Sequence, residues 1–453
     1  MSSPAAASPS DDVTFRRIGW RLLPLLFLCY VVAFLDRVNV GFAKLQMAAE
    51  LGWSDAVYGF GAGVFFLGYF VFEVPSNLLL QRVGARRWIA RIMVTWAIVS
   101  GAFAVVDRLP WGPLPAWFGV EPSVFGFYTL RLLLGVAEAG FFPGIVLYLT
   151  YWFPTARRAR AFARFMTAVA IANVVGAPLS GWIMDTFDGV GAWAGWRWLF
   201  VLESVPSMLM GFAVLLLLPD SPATARWLRD DERALVAARL AEDRAAAVAD
   251  DRSPTSVREA LTSVRVWALA FVYFTSALAL YGVNFWMPTI IQELGVAKTA
   301  YLRIGLLTMI PWGVAVVAMT LWGAHSDRTG ERRGHVAGAL AVTASGLALL
   351  AFVGTAVVPS MLALTLVSAG VLSAMSTFWS IPTAFLRGSA AAAGIAWINS
   401  IGNLGGHFGP ELIGRVRDAT GGSAGAYLTL AGGVAAGAVV VLVVTRTGQV
   451  AGR

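Results

Sequence analysis

The sequence predicts an all-α membrane protein with twelve transmembrane helices in two pseudo-symmetric bundles of six, and three observations predict it. The 453-residue chain is 58% hydrophobic and only 13% charged, against about 45–50% and about 25% in an average soluble domain. Long stretches carry no charge: none lies between Arg265 and Glu293, between Arg333 and Arg387, or between Arg387 and Glu411. A membrane-crossing helix needs about 20 mostly apolar residues. Third, motifs in the first half recur in the second at a near-constant offset. A soluble fold of this composition would expose large apolar patches and aggregate. Disordered, collagen-like and disulfide-framework classes are excluded by the same balance.

The elements follow from apolar runs bounded by charge. Residues 1–19 form a polar tail expected to be cytoplasmic. They are no cleavable signal, since the apolar run from Trp20 continues as a full span. The first bundle, 20–218, holds spans at 20–42, 57–80, 88–106, 124–150, 161–184 and 197–218. The second, 266–445, holds spans at 266–291, 302–324, 335–356, 360–386, 390–414 and 425–445. Between them, 219–265 opens on the helix stop Pro219-Asp220-Ser221-Pro222 and then alternates nine acids with eight arginines. Such a stretch reads as a solvated or interface-lying helix linking the halves. Residues 446–453 are a short polar tail. The single cysteine, Cys29, lies in the first span and excludes a cysteine-rich metal site.

Basic residues set the orientation, because cytoplasmic loops are enriched in them. Twenty-five lie in the tails, the linker and the 2–3, 4–5, 8–9 and 10–11 connections, against six on the other side. Both termini are therefore expected to be cytoplasmic. The net charge of +8 reflects this loop bias, and no nucleic-acid partner is expected. The excess of arginine, 32 against two lysines, reads as compositional bias.

The repeat pairs "NLLLQRVGARR" (77–87) after span 2 with "GAHSDRTGERR" (323–333) after span 8, and "RVNVGF" (37–42) in span 1 with "GVNFWM" (282–287) in span 7. Two matching halves imply duplicated bundles with a site at their interface near the midplane. The 8–9 loop matches the major facilitator signature, a Gly, three residues, Asp-Arg, one residue, Gly, one residue and a basic pair. The blocks "YVVAFLDRVNVGFA" (30–43), "GYFVFEVPSNLLLQRVGARRWIARIM" (68–93), "RLLLGVAEAGFFPGIVLYLTYWFPTARRARA" (131–161) and "INSIGNLGGHFGPELIG" (398–414) make the chain resemble the anion:cation symporter branch of that superfamily, the phthalate and tartrate permease relatives. The resemblance covers nearly the whole chain. It implies proton-coupled uptake of a small organic anion such as tartrate, a sugar acid or an aromatic carboxylate.

Charges inside spans cost about 2.5–3.5 kcal/mol each on insertion scales and therefore face a cavity or a partner. Here they are Asp36 and Arg37 in span 1, Glu73 in span 2, Arg131 and Glu138 in span 4, Arg197 and Glu203 in span 6, and Glu411 near the end of span 11. Asp36 and Arg37 point about 100° apart on a helix, so they cannot simply neutralise each other. Arg131 and Glu138, seven residues apart, share one face. Where span 1 has Asp36-Arg37, span 7 has Tyr281-Gly282, so duplication left the ionisable groups on one side. A purely structural charge network tying spans 1 and 4 together is the competing reading. For Glu73, Glu203 and Glu411, nearer to span ends, that structural role is the expected one.

In sugar-acid transporting relatives the span 1 aspartate and the span 4 glutamate take part in proton coupling, and the arginine after that aspartate holds the substrate carboxylate. The resemblance thus implies proton coupling by Asp36 and Glu138 and anion binding by Arg37. An acid in a low-dielectric cavity holds its proton more tightly, and an arginine offers carboxylate a planar fork. Arg131 is a second candidate for the substrate site. By resemblance, Tyr69 of span 2 and Ser376 and Trp379 of span 10 line the pocket, and Asn399 of span 11 is added, with Asn403 one turn further on. Arg82, Gly84, Asp327, Arg328 and Gly330 are the expected cytoplasmic gating motif. Its first copy departs from the superfamily pattern, with Asn77, Gln81 and Ala85 in place of Gly, Asp and Arg, so a latch is expected mainly in the second copy. The elements "GAPLSG" (176–181) and "GHFGPELIG" (406–414) are expected hinges and close contacts. His325, His335 and His407 show no metal spacing.

A rival with the same fold is an exporter or antiporter of organic compounds. A membrane enzyme would need a nucleophile–base set or metal ligands within the spans, and the sequence offers none. No Walker-type motif exists, so no cofactor is expected and an ion gradient must drive transport. The expected partners are a small organic anion, a proton and the lipid bilayer, and the working unit is a monomer in a bacterial cytoplasmic (inner) membrane.

Overall fold

Hydrocarbon offers no partner to a backbone N–H or C=O, so a crossing segment must satisfy its own, as a helix does. The computed structural model describes residues 9–250, 257–386 and 388–444, and it resolves that demand with helices throughout. Spans 1 to 6 comprise Pro9–Val38 with Val40–Glu50, Asp55–Val83, Ala85–Ala102, Pro122–Glu138 with Phe141–Thr150, Thr155–Phe187 and Gly195–Leu217. Spans 7 to 12 comprise Val264–Glu293, Tyr301–Thr329, Arg333–Phe352, Val357–Phe378 with Ser380–Phe385, Gly388–Asn403 with Gly405–Thr420, and Ala424–Val444. Helices thus form both sets of six crossings, as the sequence predicts.

Eleven of these crossings are long and apolar enough to span a membrane. Span 11 is the exception: it runs as two 16-residue pieces that meet at Leu404, and Asn399, Ser400, Asn403 and His407 make it less apolar. Span 4 is interrupted at Ala139-Gly140, where Gly140 has φ +83°, a backbone state that favours glycine. Span 1 begins about three turns before Trp20, at Pro9. Asp11 and Asp12 in its first turn suit the positive end of the helix dipole. They are tied to Arg239 at 2.8 Å and Arg157 at 2.6 Å.

The linker helix, Asp230–Asp250, lies on the N-terminal half. Glu232 meets Arg17 at 3.1 Å, Asp243 accepts from the Thr155 backbone at 3.1 Å, and Trp227 stacks on Trp152 with centroids 5.9 Å apart. The tail 446–453, with residues 1–8, 251–256, 387 and 445, lies outside the described residues.

On the face away from the linker, the two halves are sealed by backbone approach. A Cβ on Gly59 of span 2 would stand 2.5 Å from the Pro410 carbonyl oxygen of span 11, and Gly63 and Gly414 are crowded in the same way by His407 and Asp55. Gly181 of span 5 meets Tyr301 of span 8, and Gly305 meets Ala177. Small residues let helices approach where lipid removes the hydrophobic drive, so GAPLSG and GHFGPELIG are contact elements. Two helix starts on this face, those of spans 2 and 8, are also capped from the opposite half. Asp418 accepts from Asp55 and Ala56 N–H at 3.0 and 2.9 Å. Asp185 accepts from Tyr301 and Leu302 N–H at 2.9 and 2.7 Å. Around the first cap, Asp55 pairs with Lys44 at 2.8 Å and with Arg417 at 2.7 Å.

Candidate binding cavity

Below this seal, towards the linker face, a cavity of about 400 Å³ lies between the halves. Five of the sequence-predicted residues line it: Arg37, Tyr69, Ser376, Trp379 and Asn399. Asn403 lines it as well. Asp36, Glu138 and Arg131 do not, although each is at most 1% exposed.

Adjacent positions on a helix diverge, and Asp36 and Arg37 do so here. Asp36 turns away from the cavity, where Ser100 of span 3 and Ser207 of span 6 donate to its two oxygens at 2.9 and 2.5 Å. Arg37 turns inward and forms an ion pair with Glu138. Its other terminal nitrogen donates to the Tyr281 hydroxyl of span 7 at 3.1 Å. The Glu138 oxygen Oε2 has no hydrogen-bond partner. Glu138 occupies the last helical position before the Ala139-Gly140 interruption.

Arg131 lies two turns from Glu138 on the same helix but serves span 2. It donates to the Ala62 and Gly61 carbonyls at 2.7 and 3.3 Å, and to the Arg37 carbonyl at 3.5 Å. Glycine makes this approach possible, since a Cβ on Gly135 would collide with the Phe65 carbonyl. The Phe65 ring then sits between two guanidinium groups, 5.3 Å from Arg37 and 5.2 Å from Arg131. Such cation–π contacts add orientation as well as attraction.

Two contacts across the halves were not legible as function in the sequence. Tyr281 occupies the position that the repeat aligns with Asp36, so the uncharged half supplies the hydroxyl for the charged half's arginine. Glu73 of span 2, expected to be structural, accepts from Asn399 Nδ2 at 2.8 Å and Ser400 Oγ at 3.0 Å on span 11. It joins the halves beside the cavity on the linker side. A carboxylate facing an amide-rich span of the other bundle was the available signal. Glu203 remains within its own half, bonded to Ser180 at 2.7 Å. Glu411 pairs with Arg415 at 2.5 Å and His407 at 3.3 Å.

The gating motif lies at the linker face. Arg82 is in the last turn of span 2. Gly84 has φ +96° and abuts Asp220, which accepts from the Arg86 backbone at 2.9 Å. In the second copy Asp327 pairs with Arg332 of its own loop at 2.6 Å. Arg328 ends span 8, and Gly330 closes it with φ +67°. His325 and His335 belong to the facing ends of spans 8 and 9, with ring nitrogens 2.7 Å apart.

The model of the Major Facilitator Superfamily matches residues 26–410. A protein of Agrobacterium vitis assigned to tartrate transport is 47% identical over 97% of this chain and 96% of its own. A quinolone resistance transporter of Acinetobacter baumannii is 39% identical over 91% of this chain and 90% of its own. Among solved structures, that of a D-xylose-proton symporter matches with a TM-score of 0.72 at 15% identity, covering 93% of this chain and 97% of that one. This last likeness concerns the fold.

Proposed function

This chain belongs to the major facilitator superfamily, in its anion:cation symporter-like branch, and from that premise we propose that it takes up a small organic anion by proton symport through alternating access. It is a transporter of organic substrates and not an enzyme. One observation carries the finer reading: the single guanidinium facing the cavity among the described residues, Arg37, is paired with a buried carboxylate, Glu138, that has an oxygen free to take a proton. A proton on Glu138 releases Arg37, and the anion's carboxylate replaces it. Loss of the proton restores the internal pair and displaces the cargo. Buried charges are tolerated only when paired, so proton and anion enter the site together.

Asp36 couples through position. Its ionisation sets how span 1 is held by Ser100 and Ser207, one residue from the anion site. Arg131 positions the Arg37 backbone and span 2, and Tyr69, Ser376, Trp379 and Asn399 shape the wall. Arg82, Gly84, Asp327, Arg328 and Gly330 shape the gate at the linker face. That face is cytoplasmic on the charge balance of the loops, in a bacterial inner membrane, with the monomer as the working unit.

The test uses the full-length protein in proteoliposomes. An imposed proton gradient should drive accumulation of a labelled carboxylate, and an uncoupler should abolish it. Uncoupler-insensitive accumulation would sink the coupling. The quinolone resistance relative favours a second reading, export. The same vesicles separate the two, because an exporter loads them only when the gradient is reversed.

A further inference from the structure

Behind the cavity, inside the N-terminal half, two acids are buried without a counter-charge. Glu203 of span 6 is 3% exposed and Asp36 of span 1 is 1% exposed, and the two carboxylates lie within electrostatic reach of each other. Among the described residues neither forms an ion pair. Spans 1, 3 and 5 pack against span 6, and what they and span 6 itself bring to these acids is uncharged. Ser100 of span 3 and Ser207 of span 6 donate to Asp36, and Ser180 of span 5 donates to Glu203 at 2.7 Å. The nearby cations are committed elsewhere. Arg37 turns to Glu138, and Arg197, on the same helix as Glu203 but nearer the sealed face, is held by Glu50 and Asp107. Two buried carboxylates in reach of each other, with no cation beside them, cannot both stay ionised.

The unpartnered atoms show where a proton fits. Asn39, at the break in span 1, stands beside Glu203, yet the Glu203 oxygen Oε2 and both amide atoms of Asn39 complete no hydrogen bond. Glu203 Oε2 and Asn39 Oδ1 are both acceptors, and two acceptors side by side satisfy each other only with a proton between them. On Asp36, by contrast, hydroxyls already donate to both oxygens. Asn39 and Ser180 also line a second pocket of about 20 Å³, room for one water. Asn284 and Thr308 of the C-terminal half complete its wall, and Asn284 donates to Asn173 across the halves at 3.1 Å. Separation of the halves on the sealed face breaks that bond and admits outside water to Asn39 and Glu203. The anion cavity is not on this route, since no residue lines both pockets. We propose that Glu203 is the proton's point of entry to Asp36, loaded from the outer face through this pocket and apart from the anion's path. An O–H bond forms at Glu203 Oε2 and breaks as one forms on Asp36, so the pair keeps one proton and one negative charge during the transfer. This rests on the coupling reading above and adds to it a residue expected to be structural.

Two measurements on the full-length protein test it. In infrared spectra of the purified protein, Glu203→Gln should remove one component of the protonated-carboxyl band. Asn39→Leu, which takes away the acceptor, should shift that component. In proteoliposomes, a proton gradient should drive accumulation of labelled tartrate by the unmodified protein. Glu203→Gln should hold accumulation at the level reached with an uncoupler while counterflow exchange persists, and Glu203→Asp should restore part of it. Full accumulation by Glu203→Gln, or an unchanged carboxyl band, overturns the proposal and leaves Asp36 and Glu138 as the coupling acids. Loss of counterflow together with accumulation marks Glu203 as structural and overturns it as well. Accumulation driven by a sodium gradient alone, and lost in Glu203→Gln, puts sodium between Glu203 and Asn39 and overturns the proton's assignment. No proton-driven accumulation by the unmodified protein defeats the coupling reading, and the proposal with it.

Discussion

The two halves share a helical plan but bury different chemistry. Among the described residues of the two bundles, the buried acids, bases and histidines are Asp36, Arg37, Lys44, Glu73, Arg131, Glu138, Arg197 and Glu203 in the N-terminal bundle, and His335, His407 and Glu411 in the C-terminal one. Both halves contain broken helices, spans 1 and 4 in the first and spans 10 and 11 in the second. Span 10 is interrupted at Trp379 and span 11 at Leu404, and both spans contribute to the cavity wall. The N-terminal half therefore holds the charged groups, and the C-terminal half supplies an uncharged wall facing them. At the cavity the two are joined by Arg37 with Tyr281 and by Glu73 with Asn399.

The largest expected effect comes from breaking the charged side of the first meeting point. Arg37→Gln strands Glu138, and removing one partner of a buried pair costs about 3–5 kcal/mol. Carboxylate binding should disappear, and equilibrium binding to purified protein measures it. Next are the proton-site substitutions. Glu138→Gln and Asp36→Asn should abolish gradient-driven accumulation while counterflow exchange persists, because an amide mimics the protonated acid. Normal accumulation in both variants would remove these residues from coupling.

Glu73→Gln tests the second meeting point. It weakens charge-assisted bonds worth about 1.5–3 kcal/mol, so the linker side should open more readily. A cysteine placed at Asn403 should then react faster with a water-soluble reagent, and an unchanged rate would mean that this contact does not gate. Tyr281→Phe attacks the Arg37 contact from the uncharged half. It should cost about 1 kcal/mol of affinity, far less than Arg37→Gln; equal losses would contradict the division between halves.

The smallest effect belongs to an ion pair far from the cavity. A charge-assisted bond from Arg197, 2.7 Å away, pulls the Asp107 carboxyl below its ordinary range. A depressed pKa stabilises the fold above the unfolded value, and that contribution is lost as pH falls through the folded one. Thermal unfolding followed from neutral to acid pH should show it, and Asp107→Asn should remove that part. Solvent screening keeps it under about 1 kcal/mol.

Hydropathy and charge runs made the spans legible, because a helix in lipid must be apolar over its own length. Arg37, Tyr69, Ser376 and Trp379 were expected at the site through motif resemblance, and Asn399 through its spacing with Asn403; all of them line the cavity. Spacing also showed that Asp36 and Arg37 diverge, but not which of them turns inward. For Arg131, spacing gave the shared face with Glu138, while the glycines that bring the span 2 carbonyls within reach decided its partner. Contacts such as Glu73 with Asn399 depend on how two bundles dock. No local period encodes that, so nothing in either segment alone announces it.

The carboxylates of Asp185 and Asp418 have a consequence for turnover speed. The first N–H groups of a helix have no partner within it, and here each half borrows a carboxylate from the other to satisfy them. These bonds lie at the boundary of the fold, three of the four being exposed and the fourth part-buried. When the halves separate, water can take over both donors and acceptors, so no polar group is left stranded in hydrocarbon. Opening this side then resembles exchanging one solvent for another rather than breaking a buried lock. That keeps the two end states close in energy, which a carrier cycling between them requires.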